Sequence, residues 1–119
     1  MAIPQQRGRR AEALACRFLQ GRGLRLLARN YRSRRGEIDL IMQDGDELVF
    51  VEVRYRHNTA FGTAAETVTA KKQQRIIHCA RYYLHRYQSA PLVVRFDVVS
   101  IERHNGQVSI DWVRDAFRA

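Results

Sequence analysis

Two apolar-rich runs, residues 37–43 and 46–56, flank Asp44-Gly45, and this arrangement limits the fold more than any other part of the sequence. An Asp-Gly dipeptide between two such runs is a strong signal for a two-residue β-hairpin loop. With this loop, the register pairs Asp39 with Phe50, and cross-strand partners share one face of the sheet. One face is then wholly apolar: Ile38, Leu40, Met42, Val49, Val51 and Val53. The opposite face carries Glu37, Asp39, Ile41, Leu48, Phe50, Glu52 and Arg54.

This second face becomes acidic away from the turn. The predicted register places Glu37 opposite Glu52, a like-charge pair that destabilises a hairpin, and makes Asp39 a diagonal neighbour of Glu52, roughly 7–8 Å away. Such a cluster requires positive charge between its members. Arg54 or Arg35 could supply it in an ion-pair network, and so could a divalent cation shared by the carboxylates. Spacing alone leaves both explanations open.

The distribution of charge favours the metal. The 119-residue chain has a formal net charge of +9, with 21 Lys and Arg against 12 Asp and Glu. Residues 1–35 contain ten arginines and a single acid, Glu12, whereas the rest of the chain is electrically balanced. Clustered arginine indicates a polyanionic partner, because it displaces counterions from a phosphate backbone. A phosphate-bearing substrate favours Mg²⁺, which one or two carboxylates hold together with phosphate oxygens.

Composition excludes several classes of protein. No apolar run approaches the roughly 20 residues that a membrane-spanning helix requires, so no membrane partner is expected. Residues 1–7 lack the apolar stretch of a signal peptide, which predicts a cytoplasmic location. Cys16 and Cys79 are far apart and lack metal-ligand spacing, so we expect core thiols rather than a disulfide or a zinc site. The length fits one domain, residues 1–119.

The remaining elements follow from periodicity and glycine. Apolar residues recur at helical spacing from 7 to 21, and Gly21 and Gly23 then provide a stop. A second helix is predicted over 67–88, after a loop at 57–66. Further strands are predicted at 24–32, 92–101 and 107–113. The order is α-β-β-β-α-β-β, which indicates an α/β fold with a mixed sheet and helices packed on it.

Two other pairs stand out in the second half of the chain. Arg95 and Asp97 lie two residues apart on one strand face and are expected to form a structural ion pair. Tyr82 and Arg86 lie one turn apart on the second helix and could contact nucleic acid. Packing at the edge of the core is the simpler explanation for the tyrosine.

The hairpin also carries a family resemblance. The segments 36–41 (Gly-Glu-Ile-Asp-Leu-Ile) and 48–56 (Leu-Val-Phe-Val-Glu-Val-Arg-Tyr-Arg) closely resemble the signature of the YraN-like bacterial proteins. Lys71 and the late strand 95–99 (Arg-Phe-Asp-Val-Val) fit that family as well. The family is similar to the archaeal Holliday-junction resolvases and belongs with the PD-(D/E)xK nucleases. The resemblance therefore implies a single-domain, restriction-endonuclease-like fold.

The resemblance also implies roles for individual residues. Asp39 and Glu52 match the two superfamily acids and would be ligands of Mg²⁺ (or Mn²⁺), with the backbone carbonyl of Val53 as a further ligand. Glu12 matches an acid that resolvase-like members place on the first helix, where it would orient water or act as an outer ligand. The alternative for Glu12 is an ordinary helix acid beside an arginine. Glu37 is a lesser candidate, expected to support the metal ligands rather than to bind the metal itself.

Position 54 departs from the superfamily pattern, which has lysine where this chain has Arg54. The superfamily lysine positions the attacking water and stabilises charge on the phosphate. An arginine keeps its proton, so Arg54 cannot act as a general base, but it can stabilise a phosphate through two hydrogen bonds. Lys71 is the obvious substitute ammonium, and its alternative role is that of a solvated lysine at a helix start.

These observations predict a metal-dependent endonuclease that acts on DNA, including branched or structured DNA of the kind processed in DNA repair. Nucleic acid is the expected partner, with DNA favoured over RNA, and a homodimer is a further expectation of the resemblance. The flanking phosphates would be held by Arg7, Arg9, Arg10, Arg32, Arg34 and Arg35. The alternative is a non-catalytic nucleic-acid-binding module that retains the nuclease fold, and Arg54 favours it. A protein-interaction adaptor is a third, weaker hypothesis.

Overall fold

A computed structural model describes residues 4–56, 68–87 and 93–119, and the side chains from residue 8 onward within them. Its elements, in chain order, are α1 (Pro4–Gly21), β1 (Arg25–Ser33), β2 (Gly36–Asp44), β3 (Glu47–Arg56), α2 (Ala70–Tyr87), β4 (Val93–His104) and β5 (Gln107–Phe117). This order confirms the α-β-β-β-α-β-β prediction. The predicted loop at 57–66 lies outside the described residues. Neither helix, over the residues described, is long and apolar enough to cross a membrane.

The five strands form one mixed sheet in the order β1-β2-β3-β4-β5. Neighbouring strands are antiparallel except β3 and β4, which are parallel because the chain between them crosses over through α2. The hairpin from β4 to β5 turns at Asn105 and Gly106, whose φ angles of 50° and 80° are the left-handed values that such turns require. Both strands of this hairpin extend beyond their predicted ends, to His104 and Phe117.

Each face of the sheet is covered by one helix, so the central strands are buried on both sides. The α1 side of the core includes Ala11, Ala15, Cys16, Leu19, Leu40, Met42, Val49, Val51 and Val99. The α2 side includes Ile38, Ile41, Leu48, Phe50, Ile76, Cys79, Ala80, Phe96 and Val98. Burial of both cysteines confirms their expected place in the core. Two covered faces explain why the hairpin is apolar on both sides near its turn.

The register of the β2–β3 hairpin differs from the prediction by two residues. The strands pair Asp44 with Glu47, so the loop is Gly45-Asp46, and Gly45 takes a φ of 59°. Asp44 and Glu47 both form ion pairs with Arg95 of β4. One guanidinium group thus contacts the end of β2 and the start of β3. Nothing in the hairpin sequence itself indicates this long-range contact. A shift of two residues preserves the strand alternation, so the predicted faces survive it.

One member of the predicted apolar face lies on the wrong side. Ile38 packs under α2 together with Ile41, whereas Leu40, between them, packs under α1. Two residues three positions apart share a face only if the alternation is interrupted, and the interruption falls around Asp39. The pairing of β2 with β3 runs from Asp44 only as far as Leu40. The regular β2–β3 pairing therefore ends next to Asp39, the predicted metal ligand, while β2 continues to pair with β1 as far as Gly36.

Gly36, the first residue of β2, lies against the backbone of α2. A Cβ at this position would stand 2.8 Å from the carbonyl oxygen of Arg75, and helix backbone cannot move aside cheaply. We expect Gly36→Ala to lower the free energy of unfolding by about 1–3 kcal/mol, as overpacked substitutions do. Gly8→Ala is the matched control, because a Cβ there meets nothing within 4 Å and alanine favours the helix. Equal denaturation midpoints for the two variants would contradict this prediction.

Candidate active site

Asp39 lies at the interruption in β2 and is tied to β3 by its side chain. Its Oδ2 atom accepts a hydrogen bond of 2.8 Å from the backbone N–H of Val53. If the β2–β3 pairing continued, a backbone carbonyl of β2 would accept a hydrogen bond from β3. Here the Asp39 carboxylate accepts that bond instead. This bond fixes Asp39 beside Glu52, the residue that precedes Val53. The predicted opposition of Glu37 and Glu52 does not form, because the observed register, continued past the Leu40–Val51 pair, brings Glu52 opposite Asp39 instead.

Glu52 is buried, with 5% of its surface exposed, and its side chain hydrogen-bonds to the Asp39 carboxyl group. Burial, and then the negative charge of Asp39, raise the pKa of Glu52 to about 8. Burial also raises the pKa of Asp39, against the lowering effect of its bond from the Val53 N–H. Because the pKa of Glu52 stays at about 8 despite the lowering effect of Lys72 and Arg54, the pair holds a proton at neutral pH.

Glu12 joins this pair from α1, as its predicted role requires. It is half-buried and hydrogen-bonds to Asp39 and to the side chain of Asn30. Burial, followed by the charge of Asp39, raises its pKa to about 6. Three carboxyl groups from α1, β2 and β3 are therefore in contact. Asn30 was missed by the sequence analysis, although an asparagine within a strand suggests a special backbone, and its φ is 49°.

A cavity of about 370 Å³ opens beside Glu12. It is lined by Gly8, Arg9, Glu12, Asn30, Arg32 and Glu37. Arg32 and Glu37 form a solvent-exposed ion pair of 3.5 Å, and the charge of Glu37 raises the pKa of both Asp39 and Glu12. Glu37 thus lies near Asp39 and Glu12 and forms its ion pair with Arg32. The cavity presents two arginines next to the carboxyl groups.

Lys72, and not Lys71, is the lysine that reaches the site. Its Nζ atom is 3.8 Å from Oε1 of Glu52, and its positive charge lowers the pKa of both Glu52 and Asp39. Lys71 is exposed on the outer face of α2, as its solvated alternative requires, because adjacent residues of a helix point about 100° apart. A signal was available: Lys72 precedes the buried Ile76 by four residues and so continues the inner face of α2.

The remaining predicted site residues lie in different parts of the fold. Arg54 follows Glu52 on β3, is half-buried, and its charge lowers the pKa of Glu52. Arg10 and Arg34 are exposed on α1 and on the β1–β2 turn. Arg35 instead lies beside α2, on the opposite layer from α1. Arg7 belongs to α1, but its side chain lies outside the described residues.

The donor set fits a hard divalent cation better than a soft one. Within residues 4–56, 68–87 and 93–119, no group of three or more His, Cys, Asp or Glu side chains could hold a metal ion unaided. Mg²⁺ does not need such a group, because one or two carboxylates suffice when water and phosphate oxygens complete the shell. Asp39 and Glu52 supply two carboxylates, and their raised pKa values reflect the electrostatic cost that a cation would relieve.

The sequence was compared with known proteins. The family described as "Uncharacterised protein family UPF0102" matches residues 11–101, a range that includes Glu12, Asp39, Glu52 and Lys72. The chain belongs to UPF0102. This assignment confirms the resemblance to the YraN-like proteins.

UPF0102 relatives match almost the whole chain. A UPF0102 protein of Nitrosococcus oceani is 52% identical over 98% of this chain and 95% of that protein. One of Stutzerimonas stutzeri is 48% identical over the full length of both. One of Halorhodospira halophila is 50% identical over 97% of this chain and 89% of that protein. The chain thus matches most of the length of each of these UPF0102 proteins.

Proposed function

We propose that this protein is a metal-dependent endonuclease that acts on DNA, including branched or structured DNA, in the cytoplasm. The observation that carries the proposal is the carboxyl pair of half-buried Asp39 and buried Glu52, with a lysine ammonium 3.8 Å from Glu52. Buried acids with raised pKa values next to a cation are typical of catalytic sites. The restriction-endonuclease-like order of elements places this pair at the edge of a central hairpin, as the resemblance implies.

In this proposal, Asp39 and Glu52 hold Mg²⁺ or Mn²⁺, and the backbone carbonyl of Val53 is a further ligand. The bound metal would polarise the scissile phosphate and lower the pKa of a water molecule. To hold such a cation, Asp39 and Glu52 would have to give up the proton that they share. Glu12, with a pKa of about 6 and a hydrogen bond to Asp39, is placed to orient the attacking water and to accept its proton.

The position of Lys72 favours catalysis over simple binding. The alternative of a non-catalytic module depended on Arg54, which stands where the superfamily has lysine. Lys72 approaches Glu52 from α2 and provides an ammonium group next to the proposed metal ligands. It can donate a hydrogen bond to a phosphate oxygen, while Arg54 adds a second positive charge on β3. The two cations together cover the roles assigned to the superfamily lysine.

Arginines around the cavity support a phosphate-bearing substrate. Arg9 and Arg32 line the opening beside Glu12, and Arg10 and Arg34 are exposed nearby in the sequence. Guanidinium groups at these positions would hold backbone phosphates without reading the base sequence. Binding of this kind suits a protein that recognises the shape of DNA rather than a defined sequence.

The test is a cleavage assay with purified protein on linear, flapped and four-way DNA and on RNA, with Mg²⁺, Mn²⁺ or EDTA. We expect metal-dependent cleavage of DNA, and we expect Lys72→Ala to reduce the rate about 10²–10³-fold, as loss of a transition-state donor does. Arg25→Ala is the control, because Arg25 is exposed and its guanidinium binds Gln43 rather than the site. Binding of DNA without cleavage in either metal would overturn the proposal in favour of the non-catalytic module.

A further inference from the structure

A second group of cations lies on the outer face of α2, away from the arginines of α1. We call it the α2 groove, a depression of about 350 Å³ lined by Arg35, Lys71, Gln74, Arg75, His78 and Arg81. No acidic side chain is among these lining residues. The excess of positive charge lies in residues 1–35, and the fold brings cations of α2 next to Arg35, which belongs to that segment.

The α2 groove has a rigid construction. Its helical members follow the i, i+4, i+7 spacing of one face, so Lys71, Arg75 and His78 form a line that Arg81 continues. Over ten residues at 1.5 Å each, this line is about 15 Å long. Arg35 is brought alongside by the close approach of Gly36 to the carbonyl oxygen of Arg75. Four cations from two elements thus face one channel.

An aromatic ring follows the cations on the same face of α2. Tyr82 lies one turn beyond His78, and 47% of its surface is exposed. Its ring packs against Tyr31 at 6.4 Å between centroids, and its hydroxyl accepts a hydrogen bond of 3.4 Å from Arg86. Tyr87 is also exposed and lies under the Arg86 guanidinium. The ring of Tyr82 is held from two sides, yet much of it remains accessible.

We propose that the α2 groove binds a single-stranded segment of nucleic acid, with backbone phosphates on Arg35, Lys71, Arg75 and Arg81 and an unpaired base stacked on Tyr82. A basic channel followed by an exposed aromatic ring is the usual arrangement for single-strand binding, because every base has a stacking face. A channel about 15 Å long can contact more than one backbone phosphate of a strand that lies along it. A base-paired helix would keep its bases from reaching the tyrosine.

The α2 groove and the candidate active site share the first turn of α2. Lys71 faces the groove and Lys72, its neighbour, contacts Glu52. A strand bound along the groove would therefore pass close to the carboxyl pair. The inference rests on the proposed function and deepens it. It identifies which part of a structured substrate is held outside the active site, namely an unpaired strand.

Binding is measured by fluorescence anisotropy in EDTA, where cleavage does not interfere, with a labelled oligothymidylate of about 16 nucleotides and with a duplex of equal length. We expect the single strand to bind more tightly. The R75Q/R81Q variant removes two phosphate contacts, so the slope of log K against log salt should fall in magnitude by about 1.4. R25Q/R103Q is the control, because it removes the same charge from exposed positions outside α2.

The contribution of the ring is tested separately. Y82S should weaken binding of the single strand at least about fivefold, whereas Y82F, which retains the ring, should bind as the wild type does. Equal affinities for R75Q/R81Q and R25Q/R103Q, or for Y82S and Y82F, would overturn the inference. So would preference for the duplex, or displacement of the protein by an acidic polypeptide as readily as by DNA. These results leave metal-dependent cleavage by the wild type unaffected, so the two proposals fail separately.

Discussion

Glu52→Gln is expected to abolish metal-dependent cleavage and, at the same time, to stabilise the metal-free protein. The glutamine loses the charge that holds a cation, so the cleavage rate should fall by about 10³-fold or more. It also removes a buried acid whose pKa is raised to about 8 by burial and by Asp39. At pH 7 the gain in the free energy of unfolding should be on the order of 3 kcal/mol.

The pH dependence of stability follows from the same acid. The folded-state pKa of Glu52 lies above that of an unfolded glutamate, so the folded state binds the proton more tightly. Stability is therefore highest below the unfolded pKa of 4.5 and is lost as the pH rises through about 8. Glu12 contributes in the same direction between 4.5 and about 6. In the Glu52→Gln variant, the loss of stability with rising pH should be smaller. It should come only from Glu12, below about pH 6, and from Asp39.

Thermal and urea denaturation from pH 4.5 to 8.5, with and without Mg²⁺, measure these effects. Mg²⁺ should stabilise the wild type more strongly as the pH rises, because binding displaces a proton from the carboxyl pair. Glu52→Gln should show no such metal effect. Asp111→Asn is a suitable control, since Asp111 is an exposed acid on β5. A wild type whose stability rises from pH 5 to pH 8 without metal would contradict the expected position of the proton.

Asp97→Ala is expected to be the most destabilising single substitution outside the active site. Asp97 is fully buried and accepts hydrogen bonds from Arg95 Nε at 3.1 Å, from Trp112 Nε1 at 2.9 Å and from the backbone N–H of Asp115 at 2.9 Å. Its loss leaves three donors short of an acceptor and removes the fully buried one of the three carboxylates that contact the Arg95 guanidinium. Breaking a buried pair in this way costs about 3–5 kcal/mol.

Urea denaturation at pH 7 measures the loss, with Asp111→Ala as the control. Asp111 is an exposed aspartate on the neighbouring strand, and its replacement should change the free energy of unfolding by less than about 0.5 kcal/mol. A loss below about 1 kcal/mol for Asp97→Ala would show that Asp44 and Glu47, the other partners of Arg95, compensate for the missing carboxylate. That outcome would contradict the central role assigned to Asp97.

Local patterns in the sequence were sufficient for the order of elements and for most of the buried residues. Strand alternation assigned Leu40, Met42, Val49 and Val51 to one face correctly, because alternation depends only on the strand itself. The expected ion pair of Arg95 and Asp97 was also confirmed, since residues two apart on a strand share a side. These features arise from interactions within one element, which is why a single sequence reveals them.

Features that depend on contacts between distant elements were missed. The hairpin register is fixed by Arg95, some fifty positions along the chain from Asp44, and no pattern near the turn records this contact. The interruption of β2 at Asp39 depends on a side chain replacing a backbone acceptor. The choice between Lys71 and Lys72 depends on the rotational phase of α2, which the buried Ile76 fixes. Of these, only the last had a signal in the sequence.

The bond from the Val53 N–H to Asp39 has a consequence for metal affinity. It links the first acid to the backbone of the strand that carries the second, so Asp39 and Glu52 cannot move independently. The entropy needed to align two ligands is lost when the protein folds and need not be lost again when an ion arrives. Asn at position 39 would keep this alignment through its amide oxygen, whereas Ala would release it. Asp39→Asn therefore removes the negative charge of the ligand while keeping its alignment with Glu52.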